Sequence, residues 1–252
     1  MQQPVTSDSK WIVRFRPNPA PRLRLFCFPF AGGGTITYRQ WPDSLPNNVE
    51  VCAILLPGRE KRLREKPFDH IQTMAAAIAD SISPLLNEPF AFFGHSMGTM
   101  IAFEVARELR RRGQPLPSIL FVSGRSAPHL TANPPLYHLP DDQFVAALQA
   151  RYQQIPQAVI ENADLMGLFL PMLRGDFTAI DTYVCQPESP LDCPIVVFGG
   201  LRDVIKAEAL ESWSQHTSKS FDRYMLPGGH FFLNEQRESL LKTVRAYLAV
   251  VS

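Results

Sequence analysis

The chain has 252 residues, of which 45% are hydrophobic and 19% charged, and its formal net charge is +1. A near-zero net charge argues against a nucleic-acid partner, because phosphate binding needs a clustered basic surface. No stretch approaches the ~20 consecutive apolar residues of a membrane-spanning helix, and the first residues lack the basic head and apolar run of a secretory signal. We therefore expect a cytoplasmic protein that binds neither nucleic acid nor membrane.

Short apolar runs predict the strands of a central sheet. Most of them end near glycine or proline, as expected for strands that are buried on both faces of a parallel sheet. A weaker run and a possible edge strand complete the pattern. The predicted strands are residues 22–28, 49–55, 89–93, 118–123 and 194–199, the weaker run is 221–226, and the edge strand is 11–15.

Helical periodicity fills the segments between these runs. Apolar residues recur at helical spacing from residue 71 to 82, they repeat every four residues from 101 to 109, and residues 237–251 form another amphipathic pattern. Alternating strands and helices predict an α/β fold with a mostly parallel sheet.

One region breaks the alternation of strand and helix. From residue 127 to about 184 no convincing strand is found, and apolar residues are scattered among helical patterns. An insertion of this size between two core strands predicts a helical lid. Because the chain has no internal repeat and no separating linker, residues 1–252 are predicted to form a single domain.

The five residues from Gly94 to Gly98 match the pattern G-x-S-x-G, with Ser96 at the centre. They lie between a predicted buried strand and a predicted helix, which is the context of a nucleophile elbow. The sharp turn needs very small residues two positions before and after the serine. It also directs the amide of Met97 toward the same space, at the positive end of the helix dipole. The alternative is a plain glycine-rich turn in which serine caps the helix.

A serine nucleophile needs a base and an orienting carboxylate. His230 follows the last predicted strand in a loop shaped by two glycines, which makes it the best candidate base. Asp203 comes just after the strand 194–199, and the loop after strand 118–123, where the acid could otherwise lie, holds no Asp or Glu. The predicted triad is Ser96, Asp203 and His230.

The glycine-rich loop after the first core strand, residues 29–34, predicts an oxyanion hole. Its main-chain amide at Ala31, with Phe30 as the near alternative, would act together with the amide of Met97. A phosphate-binding loop is the other explanation of a G-G-G run, but neither G-K-[ST] nor G-x-G-x-x-G is present. The four cysteines show no zinc-like spacing, so we expect reduced, mostly buried thiols and no metal site.

Several motifs together resemble the type II thioesterases, the free-standing editing hydrolases of nonribosomal peptide and polyketide synthases, which are related to the medium-chain thioesterase of animal fatty acid synthase. The motifs are "FCFPFAGGG", "LPGRE", "PFAFFGHSMG", "LRGDF", "DTY" and "LPGGHFFL", in this order. The resemblance implies an α/β-hydrolase fold with a mobile helical lid. It also implies thioester substrates on the phosphopantetheine arm of an acyl or peptidyl carrier protein, hydrolysed without metal or cofactor.

The resemblance also implies roles for individual residues. The nucleophile, acid and base of the family fall on Ser96, Asp203 and His230, and its oxyanion amides fall on Ala31 and Met97. We expect five side chains to contact the substrate, although packing within the lid explains the last four equally well: Phe30, Phe144, Leu148, Leu168 and Phe169.

Two further expectations concern loops and partners. Arg59 and Glu60 of the "LPGRE" motif are expected to brace a loop and to take no part in the chemistry. Carrier proteins of this family are acidic, and Arg125 near the active-site mouth could meet one. We expect the protein to be monomeric.

Three alternative functions share these residues. A carboxylesterase or lipase acting on oxygen esters forms the same acyl-serine, and an acyltransferase would pass the acyl group to an alcohol or amine. A non-catalytic binding protein on the same fold is the alternative from another class. Such a protein often loses a member of the triad, and none is missing here.

Overall fold

A seven-stranded sheet organises the computed structural model, which describes residues 9–130, 134–152, 155 and 157–251. The strand order is β1-β3-β2-β4-β5-β6-β7. All neighbouring strands are parallel except β1, which pairs antiparallel with β3. The strands are β1 (Ile12–Val13), β2 (Leu23–Phe28), β3 (Val49–Ile54), β4 (Phe90–His95), β5 (Ile119–Ser123), β6 (Ile195–Gly200) and β7 (Phe221–Leu226).

Burial explains why the strands are continuous apolar runs with little alternation. Every residue of β3, β4, β5 and β6 is buried, because helices cover both faces of the sheet. The edge strand β7 is half-buried to exposed, and its sequence pattern is correspondingly weaker. The predicted α/β fold class with a mostly parallel sheet is confirmed, and each predicted strand is found within one or two residues of its expected position.

Eight helices accompany the sheet in the described residues, together with short 3-10 turns. Helices α1 and α2 pack in the core on one face of the sheet, and α8 packs on the other face with Tyr38 and Trp41. None of the described helices is long and apolar enough to span a membrane. The helices are α1 (Ile71–Ile82), α2 (Met97–Arg111), α3 (Asp141–Tyr152), α4 (Gln157–Ile160), α5 (Ala163–Asp181), α6 (Ala207–Glu211), α7 (Phe232–Glu235) and α8 (Arg237–Val251).

The segment between β5 and β6 contains α3, α4 and α5, and we call these three helices the lid. Its helical part begins at residue 141 and ends at 181, inside the expected range of 127–184. Residues 131–133, 153, 154 and 156 of that range lie outside the described residues, as do residues 1–8 and 252 of the predicted domain. The single domain spanning the whole chain stays a prediction.

Helix α5 has two unlike halves, separated by Pro171 in its interior. Before the proline, Leu165, Leu168 and Phe169 are 38–52% exposed. After it, the side chains on the inner face are buried, among them Asp176 and Phe177. The second half of α5 is therefore the part of the lid that is anchored to the core.

The four cysteines are free thiols, as expected. Cys27, Cys52 and Cys193 are buried, and Cys185 is half-buried. Burial raises the pKa of Cys52 and of Cys193 to about 12. The Cys52 and Cys193 thiols are neutral side chains of the core at physiological pH.

His216 lies among aromatic rings beside α2. Its ring centroid is 5.3 Å from that of Phe103 and 5.6 Å from that of Trp213, and its Nε2 lies 2.8 Å from Nδ1 of His129. Burial, with a smaller contribution from His129, lowers the pKa of His216 to about 4. His216 is therefore neutral in the folded protein at pH values where it is protonated in the unfolded chain.

We expect the free energy of unfolding to decrease as the pH falls from about 6.5 toward 4. The folded pKa of His216 lies below the unfolded value of ~6.5, so the unfolded state binds the extra proton in this window. One such group contributes a slope of at most about 1.4 kcal/mol per pH unit. His216→Gln should reduce the slope measured by urea unfolding at several pH values. An unchanged slope would contradict the pKa shift.

Candidate active site

Ser96 lies in a sharp turn between β4 and α2. Its backbone has φ 53° and ψ −114°, a conformation that costs a non-glycine residue about 1–3 kcal/mol. The Ser96 N–H donates to the carbonyl oxygen of Ser123 at the end of β5, at 2.8 Å. The turn is thus fixed to the sheet, and Ser96 has the strand-turn-helix geometry expected of a nucleophile elbow.

The two glycines of the motif permit this turn for steric reasons. A Cβ atom at Gly94 would overlap the carbonyl group of Gly98, and one at Gly98 would overlap the carbonyl oxygen of Phe28 in β2. The backbones of β2, β4 and α2 therefore approach more closely than any side chain allows. Larger residues at either position would displace Ser96 from its place above the sheet.

Asp203 and His230 come from the loops that follow β6 and β7. Two backbone hydrogen bonds join these loops: the Leu201 N–H donates to the Leu226 carbonyl oxygen and the Arg202 N–H to that of Gly228, both at 2.8 Å. Because β4, β6 and β7 are parallel, Ser96, Asp203 and His230 all lie at the carboxyl edge of one sheet.

The imidazole of His230 contacts both other members of the predicted triad. Its Nε2 lies 3.1 Å from Oγ of Ser96, and its Nδ1 lies 3.0 and 3.2 Å from the two carboxylate oxygens of Asp203. The Asp203 side chain is 1% exposed and that of His230 is 10% exposed. An Nδ1–H that donates to Asp203 leaves Nε2 as an acceptor for the hydroxyl proton of Ser96, which is the arrangement of a serine hydrolase.

His95, the neighbour of Ser96, points away from the nucleophile into the protein. It is fully buried, its Nδ1 lies 2.9 Å from Oγ of Ser123, and aromatic rings surround it, including Phe30 and Phe231. Burial holds the pKa of His95 well below its usual range, so this imidazole is neutral. His95 packs beneath His230, at 5.2 Å between ring centroids, and adds no charge to the site.

The loop after β2 forms a tight turn beside the nucleophile. The Gly33 N–H donates to the Phe30 carbonyl oxygen at 2.9 Å, and Gly32 has φ +72°. This combination defines a type II turn, whose third residue must adopt positive φ. Phe30 and Ala31 line a small cavity together with Ser96 and His230. The other predicted oxyanion amide belongs to Met97, the first residue of α2.

A cavity of about 210 Å³ opens onto the nucleophile. Ser96 and His230 line it together with Tyr152 of the lid and two cationic residues, Arg125 and Lys206. Burial lowers the pKa of the Arg125 guanidinium, and Arg125 also lines a larger cavity of about 620 Å³ between the loop after β5 and the end of α5.

The structure brings only one of the five predicted substrate-contacting side chains, Phe30, into the cavities that contain Ser96. Phe144 and Leu148 are fully buried, and Phe144 packs on Phe177 with ring centroids 5.7 Å apart. Leu168 and Phe169 line a separate cavity of about 150 Å³ beside Gly32 and Gly34. These four side chains thus lie outside the two cavities that Ser96 lines.

Residues that were not predicted to contact the substrate lie beside Ser96. Tyr152, Phe177, Ile180 and Phe231 line the small cavity with Ser96. Helical periodicity could have found Phe177 and Ile180, which share one face of α5. No sequence signal points to Tyr152, the last residue of α3, whose ring centroid lies 5.1 Å from that of His230.

Within the ranges that the structure describes, no group of three or more His, Cys, Asp or Glu side chains is positioned to hold a metal ion.

Comparisons with known proteins identify the family. The family model described as the thioesterase domain matches residues 23–248. The gramicidin S biosynthesis protein GrsT of Aneurinibacillus migulanus is 41% identical over 249 residues, covering 98% of this chain and 97% of that protein. The medium-chain S-acyl fatty acid synthase thioesterase of Rattus norvegicus is 37% identical over 224 residues, covering 86% of this chain and 83% of that protein.

Solved structures agree with these matches. RedJ, a thioesterase from the prodiginine biosynthetic pathway in Streptomyces coelicolor, has 40% sequence identity and a TM-score of 0.83, and the match covers 90% of this chain and 86% of RedJ. YbtT, the type II thioesterase from the yersiniabactin pathway, has 29% identity and a TM-score of 0.86 over 96% of this chain and all of YbtT. The predicted α/β-hydrolase fold is confirmed. The chain therefore belongs to the thioesterase family, and it is a type II thioesterase.

Proposed function

We propose that this thioesterase hydrolyses acyl groups from the phosphopantetheine arm of an acyl or peptidyl carrier protein in nonribosomal peptide or polyketide biosynthesis. The reaction removes aberrant acyl groups or releases a product. The observation that carries the catalytic part is a single imidazole, His230, within hydrogen-bonding distance of both Ser96 and Asp203. The carrier as partner is supported by relatives whose names refer to such pathways, among them GrsT and YbtT.

The first step acylates the serine. His230 Nε2 takes the hydroxyl proton as Ser96 Oγ attacks the thioester carbonyl, and the carboxylate of Asp203 holds the imidazole and stabilises its charged form. The backbone N–H groups of Ala31 and Met97 donate hydrogen bonds to the developing oxyanion. One such donor contributes about 3–4 kcal/mol to stabilising the transition state.

Departure of the thiol completes the acylation, and water then releases the acid. When the tetrahedral intermediate collapses, the C–S bond breaks and the imidazolium of His230 gives its proton to the sulfur of the leaving arm. A thiol with a pKa of ~8.5 departs readily. Water then loses a proton to His230 Nε2, attacks the acyl-serine ester and regenerates the Ser96 hydroxyl. This chemistry requires no cofactor, since the phosphopantetheine belongs to the carrier.

Substitution of the nucleophile tests the proposal. We expect Ser96→Ala to lower the rate of deacylation of hexanoyl-loaded carrier protein about a thousandfold or more, because the acyl-serine cannot form. Ser239→Ala, at an exposed serine of α8, is the control and should retain the wild-type rate. The measurement is the mass spectrum of the carrier over time, beside turnover of p-nitrophenyl hexanoate.

Two results would contradict the proposal in different ways. Brisk hydrolysis of the p-nitrophenyl ester with an untouched carrier would make the protein an esterase with the same triad. Deacylation of the carrier that survives Ser96→Ala would remove the proposed nucleophile.

Substitution of the acid tests the orientation of the imidazole. We expect Asp203→Asn to lower kcat by roughly three to four orders of magnitude, because an amide at this position favours the wrong tautomer of His230. Asp192→Asn is the matched control, since Asp192 precedes β6 at the opposite edge of the sheet and contacts the exposed Lys219. Equal effects of the two substitutions on kcat would argue against a role for Asp203.

A further inference from the structure

A buried ion pair outside the triad joins three segments that are distant in sequence. Arg59 follows β3, Asp176 lies in the anchored half of α5, and both contact the type II turn after β2. Arg59 Nη2 donates to Oδ1 of Asp176 at 2.7 Å. The other carboxylate oxygen accepts the Gly32 N–H at 2.8 Å, and Arg59 Nη1 donates to the Gly33 carbonyl oxygen at 2.7 Å.

Stabilisation of the fold is a weak explanation for a buried ion pair such as this one. The side chains of Arg59 and Asp176 are 5% and 1% exposed. Removing two charges from water costs about as much as their attraction returns, so a buried pair is weak evidence for stabilisation. The Nε of Arg59 is also buried without a hydrogen-bond partner among the described residues. The guanidinium is thus oriented so that Nη1 and Nη2 bind the Gly33 carbonyl oxygen and the carboxylate, while Nε has no partner among the described residues.

The contacts hold the central peptide unit of the turn and the residue that follows it. In a type II turn, the peptide between the second and third residues, here Ala31 and Gly32, is rotated by about half a turn relative to the type I turn. Asp176 accepts the N–H of that peptide. Arg59 holds the carbonyl of the next residue, Gly33. Together they anchor the turn directly after Ala31, whose own N–H belongs to the preceding peptide.

The far end of the same loop is held by a second carboxylate. Glu60 accepts the Thr35 N–H at 2.5 Å and the Thr35 hydroxyl at 2.6 Å. A Cβ atom at Gly34 would overlap the Glu60 carboxylate, so the loop lies directly against it. The "LPGRE" segment therefore contacts the glycine-rich loop through two consecutive side chains, and Arg59 also connects it to the lid.

We propose that Asp176 and Arg59 are positioning residues: by anchoring Gly32 and Gly33 they hold the neighbouring Ala31 N–H where it donates to the oxyanion. The inference rests on the proposed function in one respect, the assignment of the Ala31 amide as an oxyanion donor. Because Asp176 belongs to α5, the lid and the oxyanion hole are parts of one connected unit. Movement of the lid that is confined to the half of α5 before Pro171 leaves these contacts intact.

Substitution of Asp176 tests the inference through catalysis and through an oxyanion mimic. Asp176→Asn keeps the shape of the side chain, but its amide cannot accept from both Arg59 and Gly32. We expect kcat for p-nitrophenyl hexanoate to fall roughly tenfold to a hundredfold with KM within about twofold, since one oxyanion donor is misplaced. The inhibition constant of a hexyl trifluoromethyl ketone, which forms an alkoxide on the serine, should rise by the same factor.

Glu50 provides a matched control. Its carboxylate is equally buried, at 3% exposure, and it likewise contacts an arginine, Arg24, at 3.2 Å and a backbone N–H, that of Asn18, at 3.0 Å. It lies on β3, away from the carboxyl edge of the sheet. Glu50→Gln should lower the melting temperature about as much as Asp176→Asn, with kcat and the inhibition constant of the ketone unchanged.

Arg59→Lys keeps the inference testable should Asp176→Asn not fold. Lysine retains a positive charge for Asp176 but cannot reach both the carboxylate and the Gly33 carbonyl oxygen with fixed geometry. It should change kcat and ketone inhibition in the same direction as Asp176→Asn. Two results would overturn the inference. One is an Asp176 or Arg59 variant that lowers kcat but leaves the inhibition constant of the ketone unchanged. The other is a variant whose kcat and inhibition constant both equal those of Glu50→Gln.

The ester assay separates this inference from the proposed function. An enzyme that ignores loaded carriers but hydrolyses the ester would refute the carrier as substrate, and the effect of Asp176→Asn on the oxyanion mimic could still be read. Conversely, normal ketone inhibition of Asp176→Asn refutes the positioning role while carrier hydrolysis stands.

Discussion

The strained backbone of Ser96 is the constraint on which the rest of the site depends. Its positive φ is maintained because β2, β4 and α2 approach so closely that only glycine fits at positions 94 and 98. Packing of the surrounding sheet and helix therefore offsets the free energy that the strained turn costs. In return, the hydroxyl stands above the carboxyl edge of the sheet, where the loops after β6 and β7 bring Asp203 and His230 within hydrogen-bonding distance.

A second level of organisation surrounds the triad. The nucleophile is fixed by the sheet, whereas the loop that carries Ala31 depends on charged side chains from two other segments, Arg59 and Asp176. The site thus combines a rigid part, built by backbone packing, with a part whose geometry is set by a buried ion pair. In the proposed mechanism the tetrahedral intermediate forms between these two parts.

The sequence predicted the sheet, and it predicted the loops that bring the proposed triad residues together, because both leave local signals. Buried parallel strands are continuous apolar runs, and Ser96, Asp203 and His230 each follow such a run directly. Of the side chains predicted to contact the substrate, the structure places Phe30 beside Ser96. Phe144 and Leu168 are apolar residues within helical patterns, but such patterns do not show which face of the lid lies beside Ser96. Contacts between helices that are distant in sequence determine that face. Arg59 was expected to brace a loop, and its partner Asp176 could be found only from the folded chain.

The acyl-serine intermediate offers the most direct test of the central claim, that Ser96 receives the acyl group from a carrier. Wild-type enzyme would be mixed with hexanoyl-loaded carrier protein, quenched in acid within milliseconds, digested and examined by mass spectrometry. The account predicts a transient hexanoyl adduct on the peptide that contains Ser96, which forms as the carrier loses its acyl group. Loss of the acyl group with no adduct on Ser96, or with an adduct on another residue, would contradict it.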